Sequence, residues 1–254
     1  MNRMFRALAC CLLASCGFQV TGVAAGDDVA GDGRLDDAAV VNDGVVNDGR
    51  VIDAAIDAPA PPIDAPPPMI DAPPPMPVTA NFPITQDTYV DSLNQTTTMG
   101  GRTEMLVDGG GQRSTVLWRA DLSAIPTTAT VTAAELHIWT SDNIGGGSTV
   151  YQVLEAWDEA TAHWTRRSTG TNWSAAGASP PSRGTTAQGT ITVSAQFTEY
   201  TVALTSALVA GWVTNPAQNY GAAIVTTSSS GTEFRTREDA TASRRPYLRI
   251  TYVP

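Results

Sequence analysis

The sequence predicts an all-β sandwich domain preceded by a disordered linker. At Asn81 the composition changes abruptly, and aromatic and β-branched residues then occur in short alternating runs separated by Gly, Asn, Ser and Pro. Such runs are typical of strands joined by turns. About nine of them follow, over a length that suffices for one large core. Residues 17–80, by contrast, contain a single aromatic residue, Phe18, and cannot bury enough apolar surface to fold.

The first element, residues 1–15, has the pattern of a bacterial lipoprotein signal peptide. Arg3 and Arg6 give a positive start, an apolar stretch follows, and Ala14 and Ser15 are the small residues that precede Cys16. We expect cleavage before Cys16 and lipid attachment to its thiol. An ordinary secretory signal is the alternative. The lipoprotein interpretation predicts an exported protein, held at the outer membrane or cell surface by its lipid anchor alone.

The second element, residues 16–80, is predicted to be a disordered acidic tether. Eleven aspartates stand against Arg34 and Arg50 in residues 17–80, and the sequence Val-Val-Asn-Asp-Gly occurs twice in succession at 40–49. Ile-Asp-Ala-Pro then occurs three times, at 56–59, 63–66 and 70–73. A repeating proline pattern favours extended polyproline II, so we expect a semi-rigid spacer.

The third element, residues 81–254, contains the predicted strands, one helix at 205–214, and a Gly/Ser/Pro-rich surface excursion at 168–189. The predicted strands are 88–91, 104–108, 115–121, 131–140, 149–157, 190–195, 199–204, 222–227 and 247–253.

Composition argues against several classes of function. All three cysteines lie within the first 16 residues and the chain has no lysine, so neither a disulfide framework nor a P-loop is expected. The domain is nearly balanced in charge, which gives no sign of nucleic-acid binding. Nucleophilic catalysis would need His137 or His163 beside an activated Ser or Thr, and neither a nucleophile elbow nor a His-x-x-x-His pair is present. The sequence therefore predicts no enzyme.

Seven motifs in residues 82–254 resemble, in order, those of the DNRLRE domain family. The resemblance implies a jelly-roll β-sandwich that is not catalytic and binds extracellular, often acidic, polysaccharide. Ala120 departs from the family pattern, which usually has a large aromatic residue there, and Trp118 is expected to compensate. The motifs are Asp-Thr-Tyr-Val at 87–90, Arg-Ala-Asp-Leu-Ser-Ala-Ile-Pro at 119–126, Ala-Glu-Leu-His-Ile-Trp at 134–139, Trp-Asp-Glu at 157–159 with His-Trp-Thr at 163–165, Asn-Tyr-Gly at 219–221, Phe-Arg-Thr-Arg-Glu at 234–238 and Pro-Tyr-Leu-Arg-Ile-Thr-Tyr at 246–252.

Ligand binding is predicted on the strand at 131–140. If Ala134, Leu136 and Ile138 face the core, strand alternation leaves Glu135, His137 and Trp139 on the other face. Aromatic rings stack on the apolar faces of sugars. An outer-face cluster covered by a loop is the alternative interpretation.

Two further groups of binding residues are predicted. Arg235 and Arg237 share one face of a strand and could grip carboxylate or sulfate groups, although Arg237 could instead pair with an acid of the fold. Trp173 lies in the surface excursion and is a candidate exposed sugar contact, whereas Trp157, Trp164 and Trp212 lie among apolar residues and are expected in the core.

A structural calcium ion is a further expectation. Asp87, Asp91 and Asn94 lie near the first predicted strand and carry the oxygen ligands that calcium prefers. Turn chemistry explains Asp91 and Asn94 equally well.

Two alternatives to polysaccharide binding remain. One is an adhesive or structural protein that contacts a protein partner or matrix. The other is a cryptic polysaccharide-cleaving enzyme that uses a pair of carboxylates from different strands, such as Glu135 with Glu155.

Overall fold

The described part of the chain forms a sandwich of antiparallel β-sheets. The computed structural model describes residues 73–141 and 145–254. The predicted signal peptide, the lipidation site Cys16 and the tether up to residue 72 lie outside the described residues and stay predictions. In the described part, no helix is long and apolar enough to cross a membrane.

Strands make up most of the regular structure. Among residues 73–141 and 145–254, the single α-helix, α1 (Ser206–Thr214), follows the ninth strand, and three short 3-10 helices lie at Ala176–Ala178, Pro216–Gln218 and Ala242–Arg244. The strands are β1 (Val78–Asp91), β2 (Glu104–Gly109), β3 (Arg113–Ala120), β4 (Thr130–Trp139), β5 (Ser148–Val153), β6 (Arg166–Ser168), β7 (Thr171–Asn172), β8 (Arg183–Ile191), β9 (Glu199–Leu204), β10 (Ala222–Thr226), β11 (Thr232–Arg235) and β12 (Tyr247–Val253).

The long strand β1 belongs to both layers of the sandwich. Its first half pairs with β12 and its second half with β3, and the register shifts between Ile84 and Gln86. Such an irregularity bends a strand, which allows it to leave one sheet for the other. The first sheet has the order β1-β12-β4-β9, and the second has the order β1-β3-β10-β5-β8, with β2 on β3 and β11 on β2. This arrangement confirms the predicted jelly-roll β-sandwich.

The main core lies between the sheets and follows the predicted alternation. On β4, Ala134, Leu136 and Ile138 are buried there, as expected. The indole rings of Trp118 and Trp212 meet edge to face, with centroids 5.9 Å apart. Trp118 is fully buried beside the small Ala120. Trp212 is carried by α1, which lies against β4.

A second core covers the other side of the β1-β3-β10-β5-β8 sheet. Leu117 alternates with Val116 and Trp118 on β3, so it faces away from the main core and into this second cluster. The cover comes from the segment 154–182, whose buried members include three tryptophans. They are Trp157, Trp164 and Trp173.

The prediction that residues 168–189 form an exposed surface excursion is therefore wrong in part. Trp173, Ala178 and Ser182 within it are buried, and β8 already begins at Arg183. The Gly/Ser/Pro-rich composition of this segment indicates a loop, yet the segment packs on the sheet. A few large indole rings supply most of the apolar surface that it buries.

Strand boundaries also differ from prediction. β1 begins at Val78, so residues 78–80, at the end of the predicted tether, lie in the sheet, where they pair with β12. β5 ends at Val153, earlier than expected. β11 ends at Arg235, so Arg237 lies outside the strand on which both arginines are predicted.

Candidate functional site

The outer surface of the β1-β12-β4-β9 sheet collects the predicted aromatic row. Glu135, His137 and Trp139 lie on the face of β4 opposite its core residues, as alternation predicts. We call this surface the outer face. Its other members, set by strand register, are Thr79 and Asn81 on β1, Tyr247, Arg249 and Thr251 on β12, and Glu199, Thr201 and Ala203 on β9.

His137 lies at the centre of the outer face but is itself buried. Its ring stacks on that of Tyr247, with centroids 4.4 Å apart and planes 9° apart. Its Nδ1 lies 3.2 Å from Glu199 Oε1, and its Nε2 lies 3.5 Å from Glu135 Oε2. With 7 % of its surface exposed, His137 offers little contact area to a ligand. It supports Tyr247, which sequence reasoning did not single out.

The hydroxyl of Tyr247 lies in partly buried surroundings close to acidic side chains. Burial raises the pKa of its hydroxyl first, and the negative charge of Glu199 raises it further. The ring is half-buried, and its register partner on β4 is His137. The phenol is therefore neutral at physiological pH and acts as a flat, fixed ring with a hydrogen-bonding tip.

Trp139 and two arginines extend the outer face. The half-buried indole of Trp139 has the guanidinium of Arg244 at 5.9 Å from its ring centroid. Arg249 is exposed and lies opposite Glu135 in the register of β12 with β4. A groove of about 310 Å³ runs beside it, lined by Thr79, Ala133, Glu135, Arg249 and Thr251.

Arg235 does not lie on a free cationic stripe, so its predicted role as an anion contact is wrong. Its guanidinium lies 2.8 Å from Glu104 Oε1 and 3.4 Å from Asp239 Oδ2. The register of β11 with β2 places Arg235 opposite Glu104. A guanidinium held by two carboxylates is already neutralised within the fold.

Arg237 is likewise paired, in agreement with the structural alternative. It forms a fork with Glu159, with Nε 3.1 Å from Oε1 and Nη2 2.8 Å from Oε2. Its Nη2 also lies 2.9 Å from Glu238 Oε1. The hydrogen bond with Glu159 is the main reason that the pKa of Arg237 is raised. Arg237 therefore links the segment that follows β11 to the segment around Glu159.

Trp173 is a core residue, and its prediction as an exposed sugar contact is wrong. It is 5 % exposed, and its Nε1 donates to the carbonyl oxygen of His163 at 2.9 Å. A ring that packs in the second core and has its only donor satisfied has nothing left to offer a ligand.

The three predicted calcium ligands do not form one site. Asp91 accepts three hydrogen bonds, from the Leu93 N–H at 2.9 Å, from Asn94 Nδ2 at 2.6 Å and from Gln112 Nε2 at 2.9 Å. This is a turn, as the alternative interpretation held. Asp87 lies four residues earlier on β1, about 13 Å away in a fully extended strand.

Asp87 instead meets two acids that sequence reasoning missed. Its carboxyl oxygen Oδ2 accepts from the Arg237 N–H at 2.8 Å, and the Glu238 side chain lies within hydrogen-bonding reach. Asp87, Glu159 and Glu238 each place a carboxylate oxygen within 4.8 Å of the others. We call this group the acid cluster. Its members come from distant parts of the chain, so no spacing in the sequence signals it.

Burial dominates the electrostatics of the acid cluster. Asp87 is fully buried, and this desolvation raises its pKa to about 8, with Glu238 and Glu159 adding to the rise. The backbone hydrogen bond from Arg237 acts in the opposite direction. A buried carboxyl of raised pKa is also what catalytic acids show.

The carboxyl pairs that could suggest a glycosidase do not have its geometry. A retaining glycosidase separates its two carboxyls by about 5 Å with the scissile bond between them. Asp87 and Glu238 are in direct reach of each other, and Asp87 has no exposed surface. Glu135 lies on β4 of the first sheet, whereas Glu155 follows β5 of the second sheet and faces Arg167.

Comparison of the sequence with models of known protein families shows which family the domain belongs to. The model of carbohydrate-binding module family 96 matches residues 78–252. The chain belongs to this family. The match covers the sandwich from the first residue of β1 almost to the end of β12, and it confirms the expectation of a carbohydrate-binding module. It names family 96, and the narrower DNRLRE assignment stays a prediction. A search of curated proteins found no match.

Proposed function

We propose that this family 96 module binds polysaccharide through the outer face of its β1-β12-β4-β9 sheet, without turning the polymer over. The main observation behind this proposal is that the outer surfaces of the two sheets differ in how far other parts of the chain cover them. The β1-β3-β10-β5-β8 sheet has its outer side packed under the segment 154–182. The β1-β12-β4-β9 sheet presents Glu199, Thr201, Ala203 and Arg249 as exposed side chains.

The chemistry of the outer face suits a sugar chain. Tyr247 and Trp139 offer aromatic rings for the apolar side of pyranose units, and the neighbouring glutamates accept hydrogen bonds from hydroxyls. Arg249 and Arg244 stand beside these rings and could hold carboxylate or sulfate groups through their forked donors. The groove beside Arg249 continues this surface toward β1. These features favour an acidic polysaccharide.

We further propose that the module is displayed on the cell surface. Lipid on Cys16 would anchor the chain in the outer membrane, and the acidic, proline-rich tether would carry the sandwich away from it. Membrane contact would then be made by the lipid alone. Nucleic acid is not a proposed partner, because the domain has no basic excess.

The adhesive alternative needs a broad apolar patch, since protein-binding surfaces of several hundred Å² are commonly apolar. In the part of the chain that the structure describes, the exposed large hydrophobic side chains lie on four separate segments: Met76 with Val78, Leu93, Leu154 and Phe197. This scatter favours polysaccharide over a protein partner.

A binding screen of the full chain against neutral and acidic polysaccharides, at low and high salt, tests the proposal. We expect binding to an acidic polymer that weakens as salt screens the arginines. A folded protein that binds none of the polymers would contradict the proposal and favour the adhesive alternative.

A further inference from the structure

We propose that the acid cluster, Asp87 with Glu159 and Glu238, is a calcium site that fastens three distant segments of the sandwich. The proposal concerns a structural cation and does not depend on where polysaccharide binds. It replaces the predicted set of Asp87, Asp91 and Asn94, in which only Asp87 remains.

The charges of the acid cluster do not balance without a further cation or proton. Three carboxylates meet there, and Arg237 brings one positive charge, through contacts of 2.8 Å with Glu159 and 2.9 Å with Glu238. Two negative charges are then left over when all three acids are ionised. Removing unpaired charges from water is strongly unfavourable. One divalent cation would neutralise both.

Two oxygens of the acid cluster have no hydrogen-bond donor. Asp87 Oδ1 and Glu238 Oε2 are both inaccessible to solvent and unpartnered within the described residues. Asp87 as a whole is fully buried. Buried polar atoms are almost always satisfied, so an orphaned pair within reach of each other points to a missing positive species between them.

The remaining contacts leave these oxygens available. Asp87 uses Oδ2 to accept from the Arg237 N–H, and Glu238 uses Oε1 to meet Arg237 Nη2. Each of the two acids therefore has one oxygen fixed by Arg237 and the other free. The backbone and side chain of Arg237 set the orientation of the proposed ligands.

The spacing suits calcium. The ligand oxygens lie within 4.8 Å of one another, which is compatible with one shared ion, because two oxygens bound to calcium at 2.3–2.6 Å lie at most about 5 Å apart. Carboxylates are hard ligands of the kind that calcium takes, and water would complete its six to eight contacts. Side chains of Arg237 and Glu238 that are 40 % and 21 % exposed leave an entry path.

Calcium titration of the full chain, first stripped with EDTA, tests the proposal. We expect one calcium ion to bind by calorimetry and to raise the midpoint of thermal unfolding, because a ligand that binds only the folded state stabilises it. Magnesium is expected to bind more weakly, since it requires a tighter octahedral site. Equal or stronger stabilisation by magnesium would overturn the assignment to calcium.

Asp87→Asn is the decisive variant, because it keeps the size of the side chain and can donate a hydrogen bond to Glu238. We expect it to fold in the absence of calcium and to lose the calcium-induced shift, with affinity reduced at least about tenfold. Glu238→Gln should lose the shift as well. Circular dichroism of each variant checks that it is folded.

Asp91→Asn is the matched control, since Asp91 is also a buried aspartate on β1 but has its oxygens satisfied by the turn. We expect this variant to keep the calcium-induced shift. Absence of calcium binding by the stripped wild-type chain would overturn the proposal, and a proton shared between Asp87 and Glu238 would then hold the acid cluster. Loss of the shift in Asp91→Asn, with retention in Asp87→Asn, would overturn it too.

Discussion

The imidazole of His137 lies flat against the phenol of Tyr247, with the ring planes 9° apart and the centroids 4.4 Å apart. Glu199 Oε1 lies 3.2 Å from Nδ1 of this imidazole, and Glu135 Oε2 lies 3.5 Å from its Nε2. Strands β4 and β9 thus fix one aromatic ring of β12 on the outer face, whereas the segment 154–182 packs against the other sheet. A ring that is already fixed loses little entropy when a sugar stacks on it.

Removing the Tyr247 ring should therefore weaken polysaccharide binding. Tyr247→Ala is expected to reduce affinity by about tenfold or more, which corresponds to ~1.4 kcal/mol, while Tyr247→Phe should retain most of the affinity because the ring remains. Binding isotherms on the two variants check this. Equal losses in both would show that the hydroxyl, and not the ring, makes the contact.

Arg237 and Arg249 are expected to have opposite roles. Arg237→Ala should lower the free energy of unfolding by about 1–3 kcal/mol, because it leaves partly buried Glu159 unpaired, and should leave affinity for polysaccharide unchanged. Arg249→Ala should change stability by less than about 0.5 kcal/mol, as exposed sites do, and should weaken binding to acidic polymers. Urea unfolding and binding assays on both variants measure the two effects.

Trp173 is expected to matter for stability alone. Trp173→Ala should cost about 3–5 kcal/mol by emptying part of the second core. Trp173→Phe should cost less, since it keeps a ring but loses the donor to the His163 carbonyl oxygen. Chemical denaturation measures both values. A small loss in Trp173→Ala, together with weakened sugar binding, would instead restore its predicted role as an exposed contact.

Gly221 is expected to tolerate no side chain. It has φ of 74°, and a Cβ built there would meet the carbonyl oxygen of Trp118. Gly221→Ala should destabilise the domain by about 1–3 kcal/mol through backbone strain and displacement of β3. Gly101→Ala is the control, because a Cβ there meets no atom within 4 Å. Thermal unfolding of the pair would contradict this account if the two variants behaved alike.

The all-β sandwich class and the outward row on β4 could be predicted from local patterns. Alternation on β4 placed Leu136 inside and His137 with Trp139 outside, because the period of a strand is a property of neighbouring residues. The same pattern could not show that His137 would be covered by Tyr247. That contact depends on the register of β12 with β4, which is set by the whole sheet.

Long-range partners were beyond the reach of local patterns. Asp87 meets Glu159, 72 residues away, and Arg237, 150 residues away. The pairing of Arg235 with Glu104 follows only from β11 lying on β2. The prediction that Trp173 is exposed was wrong for a related reason. Its flanking residues indicate a loop, whereas its burial depends on Trp157 and Trp164.

The central claim, that polysaccharide binds on the outer face, is tested most directly with two matched aromatic and arginine pairs. Arg244 lies over Trp139 on the first sheet at 5.9 Å, and Arg183 lies over Tyr151 on the second sheet at 4.4 Å. Each pair is changed to alanine in the full chain, and binding to the best acidic polysaccharide is measured. We predict that the Trp139 and Arg244 double variant loses affinity at least about tenfold while the Tyr151 and Arg183 double variant keeps it. The reverse result, with both proteins folded, would contradict the account and place binding on the second sheet.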